Sequence, residues 1–219
     1  MEKVKDIFQV FCLFCLDIIP VSTLSYFIKQ NKLTNQTFSV FQLFVSLVVL
    51  VLTSSLFIIW RKRKFNEFWT IRNLKGNASI IFNGYLAIIF TRAFSQLIMW
   101  LGHVEISDNQ AWLKVFQQQM PFGLAILSIA LVGPLMEESI FRLGMIGLIF
   151  KEKKWIGLLI SSIIFGFLHS PNNIFSFFPY FFMGIVFGVV YIKTQKIEVS
   201  MTLHALWNFI GIVLVYLQK

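Results

Sequence analysis

Residues 121–150 read PFGLAILSIALVGPLMEESIFRLGMIGLIF, an apolar run broken by a single cluster of charge, Glu137, Glu138 and Arg142. So long and so apolar a stretch reads as a segment embedded in lipid, where the backbone has no water to bond and must satisfy itself as helix. Similar runs fall at 7–28, 38–60, 78–101, 155–169, 174–192 and 198–217, separated by short polar or charged breaks. Of 219 residues 57% are apolar, 26 are Phe and only 13% are charged, which excludes an ordinary soluble domain. The expected fold class is all-α: a polytopic transmembrane helical bundle of about seven spans, or eight if Gly133-Pro134 breaks 121–150 into two pieces. No break is long enough for an extramembrane domain, and no repeat or low-complexity linker is visible. Residues 1–219 are therefore expected to form a single transmembrane domain.

The net charge of +9 does not point to nucleic acid, because the cations lie in short clusters between apolar runs. Alternating the sides of successive runs places Lys3, Lys5, Arg61, Lys62, Arg63, Lys64, Arg72, Lys75, Lys151, Lys153, Lys154, Lys193 and Lys196 together. Lys29, Lys32, Lys114 and Lys219 fall opposite. This bias predicts a multi-pass protein of the cell membrane with its amino terminus in the cytoplasm. Lys3 and Lys5 precede an apolar run as in a signal peptide, but Asp17 and the lack of an A-x-A-like site predict a retained first helix. Cys12 and Cys15 lie inside that run and read as packing. Trp60, Trp69, Trp100, Trp112 and Trp155 fall near predicted ends, as interfacial aromatics do.

Charged side chains in a bilayer interior are costly and mark a functional site by default. Glu138 and Arg142 are four apart with the acid first, the favourable order for a helical ion pair. Glu137 lies about 100° around the helix and is left over as a candidate general base. His169 ends the next run in Phe165-Gly166-Phe167-Leu168-His169. Straight-helix arithmetic puts Glu137 and His169 at a common depth, roughly 20 Å from the Lys151–Lys154 turn. His204 and Asn208 share one helix face in His204-Ala205-Leu206-Trp207-Asn208, but His204 lies roughly 10 Å shallower by the same arithmetic. Glu, His, His and Asn make a hydrolytic set. Glu137 with His169 would deprotonate a water, and His204 with Asn208 would donate to the developing oxyanion. Glu137, His169 and His204 would equally serve as three ligands to one zinc ion with an open position for water. The spacing leaves both chemistries open, and H-E-x-x-H is absent.

These motifs resemble the CPBP family, the type II CAAX-protease and bacteriocin-immunity-like intramembrane endopeptidases. The family's Glu-Glu-x-x-x-Arg, Phe-x-x-x-His and His-x-x-x-Asn are matched by Glu137 to Arg142, Phe165 to His169 and His204 to Asn208, in order. The resemblance covers 120–217, the catalytic core in the C-terminal half, while 1–119 matches only as N-terminal membrane helices. It implies that Glu137 and His169 activate water, that His204 and Asn208 polarise the carbonyl, and that Glu138 and Arg142 support the site. It implies an endopeptidase, by a metallo or a glutamate mechanism, acting on a hydrophobic or membrane-associated peptide, prenylated or secreted, with a role in bacteriocin self-immunity or peptide maturation. The partners so implied are the lipid bilayer and that peptide, with no nucleic acid. The alternative is a non-catalytic membrane immunity or scaffold protein that keeps the polar cluster for architecture; a proton-coupled transporter would need an internal symmetry that the sequence lacks.

Overall fold

The computed structural model describes residues 2–65, 71–104, 119–169, 171 and 173–218. Trp69, Trp112, Lys114, Lys219 and most of the expected loop 102–114 lie outside the described residues, as does the side chain of Arg72. The described residues form helices α1 (Glu2–Thr34), α2 (Val40–Phe65), α3 (Ile71–Gly76) and α4 (Ala78–Leu101), followed by α5 (Phe122–Ile149), α6 (Lys154–Leu168), α7 (Ile174–Thr194) and α8 (Ile197–Tyr216). Large apolar side chains such as Phe90, 72% exposed, cover the outer faces of these helices, as lipid contact requires.

Six of the helices, α1, α2, α4, α5, α7 and α8, are long and apolar enough to cross a membrane, fewer than the seven or eight runs suggest. The difference lies in α6. Its 15 residues rise only about 22 Å, short of a hydrocarbon core about 30 Å thick. Nor does Gly133-Pro134 divide α5, which runs unbroken from Phe122 to Ile149. The helix widens instead: Ile126–Val132 and Ser139–Ile149 are wound as π-helix around an α-helical Gly133–Glu138. A proline ring presses on the carbonyl four residues back, and extra width is one way for a helix to absorb it.

The chain packs as two compact units, each built from separated segments. The first takes residues 1–68, 114–140 and 205–219. Here α1 and α2 form an antiparallel hairpin pinned at both ends. At one end Lys64 Nζ meets Asp6 Oδ1 at 2.7 Å. At the other, the amides of Asn31 and Gln42 donate to each other at 3.1 Å. Between them the buried stripe of α1 runs Val10, Leu13, Pro20, Leu24 and Ile28, at helical spacing.

The second unit takes residues 69–113 and 141–204. Its close packing is made by small residues, as lipid-embedded helix contacts often are. A Cβ on Gly184 of α7 would stand 3.1 Å from Ser162 Cα of α6, and one on Gly188 would stand 2.2 Å from Leu158 Cδ1. Gly84 admits Leu203 of α8 against α4 in the same way. A tight turn through Gln195, at φ 52°, folds α8 back along α7, where Ser200 Oγ donates to the Phe187 carbonyl at 3.1 Å. The side chain of Asn73 on α3 donates to Glu198 at the start of α8.

Candidate active site

In the second unit the aromatic motif residue Phe165 organises the site. Its ring, completely buried, lies 4.4 Å from the His169 imidazole and 6.3 Å from that of His204, centre to centre. The Arg142 guanidinium, equally buried, lies 5.4 Å from the same ring and 5.6 Å from that of Phe187. Aromatic faces attract a desolvated cation, so these rings give the buried Arg142 charge a partner.

His169 is fixed by the way α6 ends. Its backbone N–H turns to the Phe167 carbonyl instead of continuing the helix, which releases the carbonyl of Phe165 four residues back. The imidazole takes over that bond, with Nδ1 2.7 Å from Phe165 O. A carbonyl only accepts, so Nδ1 carries the proton, and in the neutral ring Nε2 keeps its lone pair for a water or another acid. The sequence predicted a histidine at the end of this helix; the structure adds which nitrogen is left to work.

Two residues that carry no chemical label in the sequence complete the arrangement. Tyr180 stacks on His169 with centres 4.2 Å apart and planes 15° apart, and Phe187 stacks on His204 at 4.4 Å and 19°. Both come from α7 and are seven residues, or two turns, apart, roughly 10 Å along the helix. Each imidazole thus occupies its own level on α7, and the Phe165 ring lies against both. The spacing of seven between Tyr180 and Phe187 fits one helix face, but nothing in the sequence ties that face to the two histidines.

The remaining predicted residues belong to the first unit. Glu137 is half-buried and Glu138 completely buried near the end of the α-helical stretch of α5. Asn208 Nδ2 donates to the Ile129 carbonyl at 2.9 Å. An amide has two N–H groups, so one is committed to the backbone and the other is left for further use. Among the described residues no group of three His, Cys, Asp or Glu side chains is arranged to hold a metal ion.

Residues 119–210, which contain all three motifs, match the family model for type II CAAX prenyl endopeptidases, Rce1-like. This stretch is Rce1-like. The chain is also similar to the UPF0177 protein YvdC of Lactococcus lactis, 26% identical over 211 residues that cover 94% of this chain and 77% of that one. It is 30% identical to the membrane-embedded CAAX protease MroQ of Staphylococcus aureus over 145 residues, covering 63% of this chain and 53% of the relative, about half of its length. No solved structure matches. The Rce1-like stretch and these relatives align the chain with CAAX-protease-like membrane peptidases, and its helices make it a multi-pass membrane protein.

Proposed function

We propose that the chain is an intramembrane endopeptidase that hydrolyses a peptide bond in a hydrophobic or membrane-associated peptide, its amino terminus facing the cytoplasm. Glu137 and His169 activate the attacking water, and His204 with the second N–H of Asn208 holds the oxyanion. The observation that carries this reading is the fixed tautomer of His169: a half-buried imidazole whose Nδ1 is committed to Phe165 O presents Nε2 as a proton acceptor. Placement of the two imidazoles at separate levels of α7 supports separate tasks for them, one at the water and one at the carbonyl oxygen. Arg142, held among the rings, supplies a fixed positive charge to a region where water is scarce. Bacteriocin self-immunity and peptide maturation are the settings in which such a bacterial-type peptidase would act.

Purified protein in lipid nanodiscs, given a quenched-fluorescence peptide of apolar sequence, tests the assignment. Glu137→Gln is expected to lower the cleavage rate by about 10²–10⁴-fold, the contribution of a general base. His204→Ala is expected to lower it by about 10²–10³-fold, as loss of an oxyanion donor does. Both variants should keep the wild-type circular dichroism. Cleavage at the wild-type rate by either would remove the assigned role.

A further inference from the structure

We propose that Asn208 is a positioning residue for Glu137, because its amide supplies the hydrogen bond that Pro134 withholds from the helix carrying the acid. The consequence for catalysis rests on the role given to Glu137 above; the bond itself does not.

In a regular α-helix the Ile129 carbonyl would receive the N–H of Gly133, four residues on. Gly133 N–H goes instead to Ser128 O, closing the wide turn Ile126–Val132. In that wider register the next donor to Ile129 O would come from residue 134, and proline has no N–H. The carbonyl is therefore left without a helical donor inside a lipid-embedded helix, where an unsatisfied peptide group is strongly disfavoured. Asn208 donates to that very atom from α8, within the same unit.

The residue type follows from the partner. A carbonyl needs a donor, so an amide fits, whereas a carboxylate of the same shape would set acceptor against acceptor. The bond also holds the plane of the amide, which aims its second N–H. Glu137 stands three residues beyond Pro134, so the winding of 129–134 sets the direction in which the carboxylate leaves the helix.

The test compares thermal unfolding of the full chain in nanodiscs, without substrate, for wild type, Asn208→Ala, Asn208→Leu, Pro134→Ala and the double variant Pro134→Ala/Asn208→Ala. Both Asn208 single variants should unfold about 2–8 °C lower, the effect of losing one buried hydrogen bond in a chain of this size. Alanine at 134 restores an N–H in the register that reaches Ile129 O, so Asn208→Ala should cost less in the Pro134→Ala background than in wild type. On a quenched-fluorescence apolar peptide Asn208→Ala should also lower kcat less in the Pro134→Ala background than in wild type, but should still lower it there because the oxyanion N–H stays lost, with KM little changed. An Asn208→Ala protein that unfolds at the wild-type temperature overturns the proposal, as does strict additivity in a folded double variant. If Pro134→Ala does not insert, the Asn208→Ala midpoint decides alone. A peptide cleaved equally by wild type and Glu137→Gln would defeat the role given to Glu137 while leaving the unfolding result to stand or fall by itself.

Discussion

The His169 imidazole is held by two kinds of contact with different consequences. The Nδ1 bond of His169 to Phe165 O selects a tautomer, while the stacked Tyr180 ring fixes the plane in which Nε2 points. Replacing Tyr180 by Leu keeps apolar volume and removes the flat face, which is worth about 0.5–1.5 kcal/mol for an aromatic pair. The expected result is a fall in kcat of roughly tenfold with KM little changed, and Tyr180→Phe should stay closer to wild type than Tyr180→Leu. Equal kcat values for the Leu and Phe variants would show that the ring does not orient the base. At this scale the sequence displayed the groups that can ionise or donate. His169, His204 and Asn208 were visible because such side chains are expensive in lipid. Tyr180 and Phe187 were not, because their importance depends on the register of α7 against its neighbours, and a phenylalanine among many has no chemistry that separates it from packing.

The helices show where irregularity in the chain becomes a site. In α6 the helix stops after 15 residues, and the motif histidine caps the carbonyl exposed by the stop. In α5 the proline widens the helix, and the motif asparagine caps the carbonyl left over. Both side chains thus answer a backbone need that no composition rule reveals. The sequence allowed for a break at Gly133-Pro134 and could not choose between break and bulge, since both relieve the same clash. Packing between α6 and α7 was equally hidden. Gly184 and Gly188 become informative only once Ser162 and Leu158 are seen against them. Gly184→Val should overpack this contact and cost about 1–3 kcal/mol, read as a lower unfolding temperature in nanodiscs. A midpoint at or above that of wild type would mean that the two helices can separate without penalty.

For the molecule as a whole, the helical membrane class was legible from apolar runs alone, because lipid permits few other ways to satisfy a backbone. The count of long spans was not, since a 15-residue helix and a longer one leave nearly the same apolar run in the sequence. The Rce1-like stretch contains all three motifs, and the function proposed for it is hydrolysis, in which water supplies one oxygen of the new carboxyl group. Mass spectrometry of the products formed from an apolar peptide in ¹⁸O-labelled water tests that function most directly, with wild type and His169→Ala run side by side in nanodiscs. The wild type should place one labelled oxygen in the new carboxyl group, and His169→Ala, equally well folded, should yield about 10²–10⁴-fold less product. Cleavage by His169→Ala at the wild-type rate, or intact peptide with both proteins, would contradict it.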